Sequence, residues 1–169
     1  MANKNRFAKW RRYAVEALLF VVIVAAIRTW QQRDMASGTA PPLQSTTLAG
    51  LPYQLPLHPA KPVLVHFWAT WCPICRTEQG TIDAIARDYP NTITVAMQSG
   101  TQQEVMRHMR EQGITFAVLN DADGSISHAW GVNAVPASFI ISPDGKIRFI
   151  EVGYTSGIGL KLRLWLAGL

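Results

Sequence analysis

Apolar residues recur along the chain in three different rhythms, and each predicts a different kind of element. The first is continuous. Between Tyr13 and Trp30 only Glu16 and Arg28 are charged, and residues 17–27 include no polar side chain. A helix rises about 1.5 Å per residue, so residues 10–30 are long enough to cross a bilayer core. Trp10, Tyr13 and Trp30 suit its interfaces, and Glu16 lies within a turn of the basic end. The second rhythm is that of strands. Val63–Trp68 is a mostly apolar run between Pro62 and a Thr70-Trp-Cys-Pro turn, as in a buried strand. Thr92–Met97 alternates and is rich in β-branched residues, and residues 115–119 predict a short third strand. Residues 138–141 and Lys146–Val152 flank Pro143-Asp144-Gly145, the signature of a hairpin.

The third rhythm is helical. After Pro73, apolar residues fall at Ile82, Ile85, Ala86 and Tyr89, and Pro90-Asn91 stops the run. Thr101-Gln-Gln-Glu104 is a capping box that opens a helix burying Val105, Met106 and Met109 and ending at Gly113. A last helix carries Ile158, Leu162, Trp165, Leu166 and Leu169 on one face, which predicts that face as the buried one. The order β-α-β-α-β, then a hairpin and a helix, predicts an α/β domain. Its parallel strands are joined by crossover helices and finished by an antiparallel pair.

Charge changes the picture only at one end. The net charge is +5, but residues 1–34 hold seven basic and two acidic groups, and the remaining 135 residues hold nine of each. A neutral body gives no footing for nucleic-acid binding. Five basic residues (Lys4, Arg6, Lys9, Arg11, Arg12) precede the apolar run and Arg28 and Arg33 flank its far end, so the amino terminus is expected to stay cytoplasmic. The rest is then translocated. A cleaved signal peptide is the alternative to an uncleaved anchor, although no clear small-x-small cleavage site follows the run. Residues 31–45, polar and containing Pro41-Pro42, read as a spacer. The expected organisation is a basic segment at 1–12, a transmembrane anchor at 13–30, a linker at 31–45 and a domain at 46–169.

The candidate chemistry lies in Trp71-Cys-Pro-Ile-Cys75, between a predicted strand and a predicted helix. Cys72 falls at or beside the helix N-cap and Pro73 at a favoured first-turn position. Unpaired backbone N–H groups and the helix dipole stabilise a thiolate there. Cys75 returns beside Cys72 across one turn, so a nucleophile and a resolving thiol share one loop. Two other readings exist. A structural disulfide this short closes a small ring of little stabilising value. Copper or zinc capture would draw on His58, His66, His108 or His128, with Met106 and Met109 as soft neighbours. A second signal is Val135-Pro136 just before a strand, where a cis peptide bond is a plausible device. Asp121-Ala-Asp-Gly124 resembles a calcium loop but lacks the following Glu, so it reads as a turn.

Together these residues resemble the thioredoxin superfamily over about residues 45–169, a thioredoxin-like fold with a central mixed sheet flanked by helices. The stretch Phe67-Trp-Ala-Thr-Trp-Cys-Pro-Ile-Cys75, the pair Val135-Pro136 and the hairpin Ser142-Pro-Asp-Gly-Lys146 look like those of membrane-anchored, TlpA/ResA-like thiol–disulfide oxidoreductases. More narrowly, the short anchored chain resembles the thioredoxin-like member of suppressor-of-copper-sensitivity systems. The resemblance implies a redox-active Cys72–Cys75 disulfide and substrate contacts at Trp71, Pro73, Ile74, Val135 and Pro136. It also implies a proton-handling role for Glu78; the alternative for Glu78 is a favourable charge in the first turns of a helix. No dissociable cofactor is implied.

The implied partners are exported protein thiols and disulfides, with a transmembrane thiol reductase as electron donor if the protein is a reductant. An oxidant or isomerase, and a copper-binding module, are the competing readings. The sequence departs from the family twice. His66 stands where thioredoxins proper carry a buried Asp; a buried neutral His there could accept the Cys75 proton, and a structural hydrogen bond is the favoured role. Gln79-Gly80 replaces an apolar residue and Pro, so the usual helix kink is not carried over.

Overall fold

A computed structural model describes the backbone of residues 3–169 and the side chains of residues 10–27 and 29–169. Lys4, Arg6, Lys9 and Arg28, on which the predicted topology partly rests, lie outside the described side chains. Helix α1 (Asn3–Gln32) belongs to a first unit that ends at Arg33, and residues 34–169 form the second. Within α1, the 23 residues Trp10–Gln32 are long and apolar enough to cross a membrane.

The second unit is built on a six-stranded mixed sheet in the order β1-β8-β7-β4-β5-β6. Strands β4 (Val63–Trp68), β5 (Thr92–Met97) and β6 (Val118–Asp121) run parallel, with α2 (Pro73–Asp88) and α3 (Gln102–Gln112) as crossovers. Strand β7 (Ala137–Ile141) pairs antiparallel with β4, and β8 (Lys146–Val152) with β7, through the predicted hairpin. The chain closes with α5 (Gly157–Ala167), and a small separate ladder joins β2 (Gln44–Thr46) to β3 (Pro52–Gln54).

Strand β4 is buried at every position because the sheet is covered on both faces. On one face Leu64 and Trp68 meet Ile82 and Ile85 of α2, Val105 of α3, and Leu160 and Leu164 of α5. On the other, Phe67, Trp130 and Phe139 form an aromatic trio with ring centroids 5.0–5.7 Å apart. This alternation, with residue 66 on the Leu64 side, is what aims β4 at the helix carrying the cysteines.

Helix start and stop signals hold closely, although of the three residues expected to be buried on α3 only Val105 is, and Met106 and Met109 are partly exposed. Thr101 and Glu104 form the reciprocal capping box, and Gly113 closes α3 in the left-handed conformation (φ 64°). Helix α2 runs unbroken through Gln79-Gly80. Gly80 is exposed, and an added Cβ would meet nothing within 4 Å. Gly80→Ala is therefore expected to stabilise the chain by about 1 kcal/mol, a rise of roughly 3–5 °C in Tm by circular dichroism. An unchanged or lower Tm would show that the glycine is needed for something other than helix packing.

Four expectations are corrected. The residues read as a spacer are largely folded: Met35 and Leu43 are buried, and Ala36 N–H donates to the Trp130 carbonyl at 3.0 Å. Strand β1 (Gly38–Thr39) pairs with the edge of β8. Gly131 is required there, because a Cβ would strike the Asp34 backbone. The third strand is displaced to Val118–Asp121, since the Thr115 and Phe116 N–H groups donate to the Asp83 carboxylate and not to a neighbouring strand. A short helix α4 (Ser125–Ala129) was not foreseen. Asp121 caps it by accepting from Ile126 N–H and Ser127 N–H, both at 2.9 Å, which is what occupies the calcium-like sequence. The last helix buries Leu160, Leu164 and Ala167, and leaves the predicted face, Ile158, Leu162, Trp165, Leu166 and Leu169, exposed. Its apolar residues surround the helix, so periodicity alone had two faces to choose from.

Candidate functional site

The β4–α2 turn ends at Cys72, the N-cap of α2, in an extended conformation (φ −88°, ψ 112°). Pro73 begins the helix, where its missing N–H costs nothing. The Cys75 N–H donates to Cys72 Sγ at 3.1 Å, so an unpaired N–H of the first turn is aimed at the sulfur. Cys72 and Cys75 are joined as a disulfide, with Cα atoms 5.3 Å apart. Both cysteines are buried, while Trp71 and Ile74 on either side of Cys72 are about half exposed.

The second predicted signal arrives from across the fold. The Val135–Pro136 bond is cis, and the Val135 carbonyl oxygen lies 3.6 Å from Cys72 Sγ. Pro136 is buried and Val135 partly so. The sequence-predicted Trp71, Cys72, Pro73, Ile74 and Cys75 are contiguous, and the antiparallel pairing of β7 with β4 brings Val135 to them.

Glu78 lies one turn beyond Cys75 on the buried face of α2 and is 1% exposed. Its Oε1 accepts from Thr155 N–H at 3.2 Å, and its Oε2 has no hydrogen-bond partner. Burial pushes this carboxyl up to about 7, against the opposing pull of the Thr155 N–H. It is not a surface charge serving the helix dipole.

His66 is buried on the α2 side of the sheet, with Nδ1 2.9 Å from Ser138 Oγ. Burial pulls its pKa down to about 3, so the ring is neutral at physiological pH. This is the structural hydrogen bond expected of it. Among the described residues no three His, Cys, Asp or Glu side chains gather into a metal-sized group.

Sequence reasoning missed the segment 153–155. Gly153 N–H donates to the Pro136 carbonyl at 2.8 Å, and Thr155 reaches Glu78, so one short stretch ties the proline loop to the acid on α2. No local motif marks it; only the tertiary pairing reveals it.

Residues 37–150 match the model of the AhpC/TSA family. The chain belongs to that family. Its similarity to a thioredoxin-like protein of Haemophilus influenzae is 27% identity over 163 residues, covering 96% of this chain and 97% of the relative. It is 28% identical over 172 residues to the thiol:disulfide interchange protein DsbE of Escherichia coli, covering 92% and 90%. Among solved structures it is similar to a secreted Mycobacterium tuberculosis disulfide oxidoreductase homologous to DsbE. That likeness has 26% identity and a TM-score of 0.63, and covers 73% of this chain and 95% of that one. This AhpC/TSA member has the thioredoxin-like fold, and it is a protein-disulfide oxidoreductase, as the resemblance in its sequence implied.

Proposed function

We propose that the chain is a membrane-tethered reductant of exported protein disulfides, with Cys72 as nucleophile and Cys75 as resolving thiol. The observation that carries this reading is a Cys72 sulfur capped by a helix N-terminal N–H and set against the Val135 carbonyl. The Cys72 thiolate attacks one sulfur of a substrate disulfide. That S–S bond breaks, the distal substrate sulfur leaves and takes up a proton, and a mixed disulfide forms. Cys75 loses its proton, attacks the Cys72 sulfur and releases the second substrate thiol. Two electrons have then passed to the substrate, and the Cys72–Cys75 disulfide remains.

Glu78 takes the Cys75 proton in this scheme; a buried carboxyl near 7 is matched to that task at neutral pH. Trp71, Pro73, Ile74, Val135 and Pro136 form the substrate contacts. Two electrons must return from another dithiol. For an exported domain we assign that role to a transmembrane thiol reductase. Helix residues Trp10–Gln32 act as the single anchor in a bacterial inner membrane, with residues 1–12 cytoplasmic and the catalytic unit in the periplasm. The DsbE relatives, named for thiol:disulfide interchange, support the chemistry.

The reduction potential of the Cys72–Cys75 pair tests the direction of flow. Equilibration of the full chain in detergent with dithiothreitol is expected to give a value near about −270 mV, as for a thioredoxin-like reductant. A value near about −120 mV would instead make it a disulfide donor.

A further inference from the structure

Gln98 is the one non-glycine residue among those described with a positive φ, 43°. A side chain rarely occupies that region, and such outliers persist only where the surroundings over-determine them. Here they do. The Gln98 N–H donates to the Asp121 carbonyl at 2.8 Å, and the next residue, Ser99, is buried. Ser99 Oγ donates to the Met97 carbonyl and accepts from Thr70 N–H, both at 3.0 Å. Asn120 Nδ2 donates to the Gly100 carbonyl at 3.1 Å. The Gln98 side chain lies against Gly124, where an added Cβ would come 2.9 Å from its amide nitrogen. The loop at 98–100 is thus tied on one side to the end of β6 and on the other to the turn that leads into Cys72.

What the unusual conformation achieves is visible at the Gln98 carbonyl. It accepts the Trp71 indole N–H at 3.1 Å. Trp71 is 55% exposed, so this bond fixes a large aromatic ring that stands at the surface immediately before the nucleophile. An exposed rotor must be ordered whenever a substrate docks on it; a ring already held avoids that loss of freedom.

We infer that Gln98 is a positioning residue that holds the Trp71 indole as a fixed wall of the substrate cleft, favouring polypeptide disulfides over small ones. The inference rests on the disulfide-exchange reading above. A polypeptide flanking its own cysteine lies along the Trp71 wall. A small disulfide reaches Cys72 without using the wall. An apolar side chain next to the substrate cysteine is the chemistry that matches Trp71 and the exposed Ile74.

The test uses the full chain in detergent micelles, its Gln98→Pro and Trp71→Phe variants, and the double variant. The proline ring forbids a positive φ, so Gln98→Pro must move the carbonyl that holds the indole, whereas a glycine there would keep it. Two substrates are compared: a synthetic peptide disulfide with Leu beside its cysteine, and hydroxyethyl disulfide. Gln98→Pro is expected to raise KM for the peptide about fivefold with kcat within about twofold, and to leave the small-disulfide rate within about twofold. Trp71→Phe is expected to raise the peptide KM at least as much. The double variant is expected to match Trp71→Phe alone, because Gln98 acts through that ring. An unchanged peptide KM in Gln98→Pro, or single effects that multiply in the double variant, overturns the inference. If Gln98→Pro does not fold, indole N–H exchange in the wild type decides: slow exchange at Trp71 is expected, and exchange at the rate of a free indole overturns it. Failure of every chain, wild type included, to exchange any disulfide would instead overturn the functional reading.

Discussion

Replacing Cys75 with Ser is expected to leave a chain that captures its substrates and does not release them. The Cys72 sulfur sits at the N-cap of α2 with the Cys75 N–H 3.1 Å away, and Ser at position 75 retains that backbone donor. Attack on a substrate disulfide therefore proceeds, but no second thiol lies across the helical turn to cleave the mixed disulfide. Non-reducing gels of cells expressing the Cys75→Ser chain are expected to show discrete adducts that collapse on adding reductant. Cys72→Ser is expected to show none, and to lose about a thousandfold or more of turnover, because the attacking sulfur itself is gone. Adducts on Cys72→Ser in place of Cys75→Ser would exchange the two roles. Their absence from both would remove disulfide exchange as the function.

The second large effect belongs to Glu78. Its carboxyl is buried, holds one hydrogen bond from Thr155 and has an unpartnered Oε2, and burial raises it from 4.5 to about 7. To act as the proposed acceptor of the Cys75 proton it must be ionised. The rate of resolving the mixed disulfide is then expected to climb as pH rises through about 7 and to level above it. Glu78→Gln removes that limb and lowers the rate about tenfold or more at neutral pH. Stability runs the other way. A raised carboxyl pKa means that the folded chain holds the proton more tightly than the unfolded one. Glu78 thus contributes stability that is full below about 4.5 and lost as pH rises to about 7. Thermal melts of Glu78→Gln are expected to show a smaller loss of Tm between about pH 5 and about pH 8 than the wild type. Parallel melting curves, or a pH–rate limb that survives in the variant, would make Glu78 a structural acid only.

His66 is a useful contrast, because both are buried ionisable residues between α2 and the sheet, one on the helix and one on β4. Its pKa is pulled below the range where cells operate, and its Nδ1 is already occupied by Ser138. Desolvation opposes whichever form is charged, so burial neutralises both groups. For a carboxyl this brings the titration up to neutral pH. For an imidazole it carries the titration away from it.

Local chemistry was legible wherever its cause is local. A Cys at a helix start followed by Pro, a Thr-x-x-Glu box and a Pro-Asp-Gly turn each act within one turn of backbone. All three appear in the structure as the residue types dictate. The apolar 23-residue stretch of α1 is of the same kind, since length and composition are its whole argument. Features that depend on which surface meets which were not legible. The last helix is apolar on several sides, and only packing against α2 and the sheet selected Leu160 and Leu164 over Trp165 and Leu169. Residues 35–43 look like a spacer because their few apolar side chains show no period, yet a gap beside Trp130 buries Met35 and Leu43.

The sequence by itself thus determined the Cys72–Cys75 pair, its helix, the proline loop and the order of the central strands and their crossover helices, because each is encoded in residues close together along the chain. Only the tertiary structure decided that Thr155 reaches Glu78, that Val135 reaches Cys72 and that Gln98 holds Trp71. These contacts join residues 27–77 positions apart through single backbone groups, and a backbone N–H or carbonyl carries no side-chain signature to be read in advance.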